Sequence, residues 1–172
     1  MAFKLEKLSM LVVEDTAPMR KLMVSVLEGM GVKNISVAAD GERAFEIFQK
    51  ENQDVILTDW QMEPVNGIDL TELIRKSPMS PNRMVPVILV TGYSAWPRVE
   101  EARDAGVTEF LVKPFTANDL AKRLTHVITK PRDFIETQDF FGPDRRRRKI
   151  PNFKGPFRRA DDPVQAEASI RK

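Results

Sequence analysis

The pattern that most constrains this chain is an alternation. Short apolar runs at Leu8 to Val13, Ile35 to Ala38, Val55 to Leu57, Val85 to Val90 and Phe110 to Val112 each suit a buried strand. Helical spacing fills the gaps. Met19, Leu22, Met23, Val26, Leu27 and Met30 recur at helical intervals. Ala44, Phe45, Ile47 and Phe48 do so after Asp40-Gly41, and Ile68, Leu70, Leu73 and Ile74 after Asn66-Gly67. Ala95 to Ala105 and the set Leu120, Leu124, Val127 and Ile128 complete the series. Strands alternating with helices predict an α/β fold: a five-stranded parallel sheet, flavodoxin-like, covered by helices on both faces. In such open sheets the functional crevice lies at the carboxyl ends of the strands.

The residues at those ends are therefore the ones to weigh. Glu14 and Asp15 follow the first run, Asp59 the third, Thr91 the fourth and Lys113 the fifth. Like charges gathered on one rim are destabilising unless a cation or a reaction uses them. Oxygen-only ligands suit Mg²⁺, which Glu14, Asp15 and Asp59 could hold with a backbone carbonyl near Gln61. A carboxylate can also act as a nucleophile and become an acyl phosphate. Asp59, at the end of the central run, is the best placed to do so. Lys113 and the metal would then stabilise charge on the transferring phosphoryl group. The Thr91 hydroxyl could donate to a phosphate oxygen, with Phe110 filling the space behind it. Taken singly, each acidic residue reads as a solvated strand end, Thr91 as a helix cap and Lys113-Pro114 as a turn; the grouping carries the inference. His126 reads as a surface residue, and Trp60 and Trp96 as either packing or partner contacts.

Charge divides the chain near Lys130-Pro131. Residues 1–130 carry 16 Lys+Arg against 18 Asp+Glu, and residues 131–172 carry 11 against 7, so a chain of net charge +2 has a basic end. This division predicts a domain over 1–130 and a separate, irregular Arg-rich tail over 131–172. Prolines at 131, 143, 151, 156 and 163 leave that tail unable to form a long helix. No helix-turn-helix pattern follows Lys130, so no DNA-binding output is expected. No cysteine occurs, which excludes disulfides and Cys-type zinc sites. The absence of a long apolar run or a signal-peptide pattern predicts a cytoplasmic chain without membrane insertion.

The tail repeats itself. Gly142-Pro143-Asp144-Arg145-Arg146 continues as Arg147-Arg148-Lys149, and Gly155-Pro156-Phe157-Arg158-Arg159 continues as Ala160-Asp161-Asp162. Arg can pair with guanine O6 and N7, a carboxylate can accept from N1 and N2, and Phe or Arg faces can stack on the ring. Two such units suit a ligand with two guanines and two phosphates, as in cyclic di-GMP. The candidate contacts are Asp144, Arg145, Arg146, Arg147, Arg148, Phe157, Arg158, Arg159, Asp161 and Asp162.

Residues 5–130 resemble response-regulator receiver domains of the CheY-like kind. The resemblance rests on Leu11-Val12-Val13-Glu14-Asp15, Leu57-Thr58-Asp59-Trp60-Gln61-Met62, Val65-Asn66-Gly67, Val90-Thr91-Gly92 and Phe110-Leu111-Val112-Lys113-Pro114-Phe115. It implies phosphorylation of Asp59 by a histidine kinase or phosphotransfer protein, Mg²⁺ on Glu14, Asp15 and Asp59, Thr91 and Phe110 as a switch pair, and Lys113 on the phosphoryl group. Gln61 stands where the chemotaxis members have Asn, and Phe110 where they have Tyr. Thr137 to Asp162 is similar to the arginine-rich extension of the Cle family, cyclic di-GMP-responsive CheY-like regulators of flagellar motors and surface attachment. That likeness implies a signalling protein rather than an enzyme, with an output partner such as the flagellar motor. Two alternatives remain open: a plain phosphorelay receiver with a docking tail, and a tail that binds anionic surfaces.

Overall fold

The computed structural model describes residues 5–92 and 96–145. After a 3-10 turn over Leu5–Lys7, strands β1 (Ser9–Val13), β2 (Asn34–Ala38), β3 (Val55–Asp59), β4 (Val87–Thr91) and β5 (Glu109–Val112) alternate with helices α1 (Ala17–Gly29), α2 (Gly41–Glu51), α3 (Gly67–Lys76), α4 (Trp96–Ala105) and α5 (Ala117–Thr129). The sheet is parallel, in the order β2-β1-β3-β4-β5. β3 is central, and its side neighbours are β1 and β4. The strand-end residues of β1, β3 and β5 therefore open onto one edge.

Side-chain alternation along the strands builds a core on each face. Met10, Val12, Leu57 and Val90 pack with Met23 and Leu27 of α1 and Leu120, Leu124 and Val127 of α5. Leu11, Val13, Ile56 and Val87 pack with Ala44 and Phe48 of α2 and Leu70 and Ile74 of α3. A third cluster sets Leu89, Trp60 and Ile68 against Ala102 and Ala105 of α4, with Phe110 packed at its side. Helix starts are fixed locally. The Asp40 carboxylate accepts from the Arg43 amide at 2.9 Å, the Asn66 side chain accepts from the amides of Ile68 and Asp69, and Thr116 forms a reciprocal capping box with Asp119.

The chain beyond Lys130 differs from the sequence expectation over its first part. Residues 131–145 are not all irregular: β6 (Phe134–Glu136) and β7 (Phe141–Pro143) form an antiparallel hairpin. The cause is apolar burial that composition concealed. Phe140, Gly142 and Pro143 are buried, and β7 contacts α3. Arg83 stacks over Phe141 at 3.9 Å and pairs with Glu136 at 3.6 Å, and Arg75 lies 5.0 Å from the Phe134 ring centre. A Cβ on Gly142 would come within 2.6 Å of the Phe140 ring and 3.0 Å of the Gly106 backbone, so only glycine permits this approach. The hairpin sits at the α3–β4 and α4–β5 turns, across the sheet from the strand ends that carry the carboxylates.

Candidate functional site

The strand ends gather a compact polar group. Ligand oxygens of Glu14, Asp15 and Asp59 all lie within 4.8 Å of one another. Asp59 closes β3 rather than following it, and its register partner on β4 is Val90. Its backbone position is held tightly. The Gly67 amide donates to the Trp60 carbonyl at 2.9 Å, and a Cβ on Gly67 would stand 2.2 Å from the Asp59 carbonyl oxygen. Asn66-Gly67 therefore does more than turn the chain: it lets α3 begin directly against the end of β3.

Lys113 reaches across from β5. Its Nζ is 2.7 Å from Asp59 Oδ1 and 3.5 Å from Glu14 Oε2. The other Asp59 oxygen accepts from the Gln61 amide at 3.1 Å. Thr91, buried at the end of β4, offers its carbonyl to the Lys113 amide at 2.8 Å, which ties the two strand ends together. Glu14 accepts from the Thr16 amide at 3.0 Å, while Arg20 donates to the Glu14 carbonyl at 2.6 Å.

These contacts set the electrostatics. Glu14 is 2% exposed, and burial pushes its carboxyl above the usual glutamate range. The Thr16 amide opposes that shift; the bond to Asp15 and the charge of Asp59 add to it, and Lys113 works against it. For Lys113, burial acts downward, but its hydrogen bond to Asp59 and the charges of Asp59 and Glu14 outweigh this and hold its ammonium above the usual lysine range. Three carboxylates with one ammonium leave an excess of negative charge, with Glu14 and Asp59 buried and Asp15 exposed. The donor set is oxygen only, with no His or Cys, and it suits a hard divalent cation such as Mg²⁺ better than a softer metal.

Of the residues singled out from sequence, Glu14, Asp15, Asp59 and Lys113 meet in one cluster, and Gln61 adjoins it through its amide. Phe110 is partly buried beside Trp60 and Leu89. Trp60 is itself buried, with the Arg98 guanidinium 5.7 Å from its ring centre. His126 is not a plain surface group: its Nδ1 lies 3.0 Å from buried Glu109, which also pairs with Arg123 at 3.3 Å. Of the tail residues, only Asp144 and Arg145 are described. Arg145 is paired with Asp104 of α4 at 3.1 Å and stacks 4.2 Å from Phe140, with only 19% of its side chain exposed. Arg146, Arg147, Arg148, Phe157, Arg158, Arg159, Asp161 and Asp162 lie outside the described residues. Sequence reasoning missed Arg20 and Arg98, which left no signal; it placed Gly67 at a helix start but not its close approach to the Asp59 carbonyl.

A doubly wound sheet with this cluster at its strand ends defines a class. The chain belongs to the response regulator receiver domain family, which matches residues 10–125. Chemotaxis protein CheY-3 of Vibrio cholerae is 32% identical over 125 residues, covering 73% of this chain and 95% of that protein. Chemotaxis protein CheY of Pseudomonas aeruginosa is 32% identical over 123 residues, covering 72% and 98%. Among solved structures, V. cholerae CheY4 superposes with a TM-score of 0.65 at 28% identity, covering 70% of this chain and 98% of its own. The receiver domain of the P. aeruginosa sensor histidine kinase PA1611, solved with a magnesium ion in its active-site cleft, gives 0.65 at 27% identity, covering 72% and 98%.

Proposed function

We propose that this chain is a response regulator in which Asp59 accepts a phosphoryl group from a histidine kinase or phosphotransfer protein, and whose Arg-rich tail binds cyclic di-GMP. The observation that carries the first half is the Glu14–Asp15–Asp59 cluster with Lys113 Nζ 2.7 Å from Asp59. Glu14, Asp15, Asp59 and the Gln61 carbonyl are the groups to hold Mg²⁺. Bound there, the ion would offset charge on the transferring phosphoryl oxygens. Asp59 is the nucleophile, held by the Gln61 amide on one oxygen and by Lys113 on the other. Lys113 passes from Asp59 to a phosphoryl oxygen as the acyl phosphate forms. Thr91 and Phe110, on neighbouring strands, are the residues to report that charge to α4 and β5.

The tail reading rests on its residue types and repeat. Arg146 to Arg148 and Arg158-Arg159, with Phe157, Asp161 and Asp162, supply the donors, acceptors and stacking faces that guanine and phosphate need. The hairpin supports a division at residue 145 rather than at 130, with the receiver ending in a folded anchor from which the ligand-binding segment departs. Arg145, engaged by Asp104 and Phe140, belongs to that anchor as much as to the ligand set. The output is a protein partner such as the flagellar motor. The engagement of Arg145 also favours a second reading, in which the tail docks a protein and binds no nucleotide.

Calorimetric titration of cyclic di-GMP into the full chain and into residues 1–145 separates the two. Micromolar or tighter binding by the full chain alone is expected. Binding by neither leaves the docking reading, and equal binding by both places the nucleotide site outside the tail.

A further inference from the structure

Asp15 is the exposed member of the carboxylate cluster, whereas Glu14 and Asp59 are buried. The buried pair is held by main-chain amides, Glu14 by that of Thr16 and Asp59 by that of Gln61, and Lys113 reaches both. The Asp15 carboxylate instead accepts the neighbouring Thr16 hydroxyl at 3.2 Å. That hydroxyl stands at the N-cap position of α1 and makes no cap bond there. The aim of Asp15 therefore depends on the backbone that carries it. Arg20, the fourth residue of α1, holds that backbone: its Nη1 donates to the Glu14 carbonyl at 2.6 Å and to the Asp15 carbonyl at 3.4 Å. The two carbonyls flank the Asp15 Cα, so one nitrogen restrains both torsions that direct the carboxylate. A cation near a helix N-terminus opposes the helix dipole, so α1 by itself does not favour an arginine at this place.

We propose that Arg20 is a positioning residue for the divalent cation: by pinning the carbonyls on either side of Asp15, it fixes the Asp15 carboxylate in the ligand set formed with Glu14 and Asp59. The inference rests on Mg²⁺ occupying that cluster. Charge and geometry predict opposite signs for the loss of Arg20. Removing a positive charge beside three carboxylates would strengthen their attraction for a cation. Releasing the Asp15 backbone would weaken it, because groups that orient metal ligands contribute to affinity without touching the ion. The direction of the change therefore separates a positioning role from a purely electrostatic one.

The test titrates Mg²⁺ into the full-length protein and its Arg20→Gln, Arg20→Lys and Lys21→Gln variants. Binding is followed by tryptophan fluorescence, since Trp60 adjoins Asp59, at a temperature well below each melting point in chelator. Arg20→Gln is expected to weaken Mg²⁺ binding about tenfold, the low end for such orienting groups. Arg20→Lys should recover most of the affinity, because both bonds come from one nitrogen that an ammonium can replace. Lys21 is exposed and next in sequence, so Lys21→Gln removes the same charge from α1 and should bind as the wild type does. Unchanged or tighter binding by Arg20→Gln overturns the proposal even if its melting point in chelator falls, because a merely structural role would move only the latter. Equal weakening in Lys21→Gln, or Arg20→Lys no better than Arg20→Gln, also overturns it. Wild-type protein that binds no Mg²⁺ by fluorescence or calorimetry overturns the metal reading itself, and the role of Arg20 with it.

Discussion

Arg75 shows how far one side chain can depart from its sequence context. It stands in the last turn of α3, in Leu73-Ile74-Arg75-Lys76, where a cation is ordinary surface chemistry. Here it is fully buried. Its guanidinium donates to the carbonyls of Gly106, Arg83 and Val85, approaches the Thr108 hydroxyl at 3.4 Å, and lies under Phe134. Burial pulls its pKa down to about 9, so it stays charged at neutral pH. Arg75→Met would leave those carbonyls buried without donors, at a cost of about 3 kcal/mol. Urea denaturation should show that loss, and an unchanged midpoint would contradict it. Asp119 gives the pH prediction at this scale. Its hydrogen bonds with the Thr116 backbone and hydroxyl hold it below the usual aspartate range. A depressed folded pKa means the cap supports α5 at neutral pH and is lost only as pH falls through that depressed value. An NMR titration of the Thr116 amide should move in that acidic range. Asp59 and Lys113 were legible because a strand end followed by a charge is visible in one dimension. Arg75 was not, because two turns and the hairpin together bury it.

The elements were legible wherever the apolar pattern was unbroken. All five alternating units form, with ends that differ for physical reasons. β3 runs on through Thr58 and Asp59, whose polar side chains hide their strand geometry from a hydropathy pattern. β4 begins at Val87 rather than Val85 because Pro86 has no amide to give the ladder. The hairpin was invisible for a different reason. Gly142-Pro143-Asp144-Arg145-Arg146 reads as one unit of a ligand-binding repeat, whereas Gly142 and Pro143 are buried in the hairpin, whose rings Phe134, Phe141 and Phe140 meet Arg75, Arg83 and Arg145. The hairpin therefore belongs to the stability of the receiver. Cutting at residue 130 should uncover α3 and the α4–β5 turn and cost about 2 kcal/mol, or roughly 4–8 °C in melting temperature. Cutting at residue 145 should cost almost nothing. Calorimetric melting of both truncations checks this, and equal melting temperatures would show that the hairpin contributes no stability. Gly67→Ala should also destabilise the fold, since its new Cβ would press on the Asp59 carbonyl; loss of Mg²⁺-dependent change in tryptophan fluorescence should accompany the lower melting point.

At the scale of the molecule, the two proposed inputs enter at separate places. The carboxylate cluster lies at the carboxyl ends of the strands, and the hairpin that anchors the tail lies at their amino ends, with α3 and α4 between them. Among the described residues no helix is long and apolar enough to cross a membrane. The net charge of the tail was legible, but its point of attachment through Arg145 and Asp104 was not, because that pair joins positions 41 residues apart. The central claim is that Asp59 is the phosphoryl acceptor and that its acidic neighbours act through a divalent cation. The most direct test is intact-mass spectrometry of the full chain after incubation with acetyl phosphate, with Mg²⁺ or with a chelator, beside Asp59→Asn. The account predicts one added phosphoryl group in the wild-type protein with Mg²⁺, and none with chelator or in Asp59→Asn. Equal modification of Asp59→Asn, or modification indifferent to Mg²⁺, would contradict it.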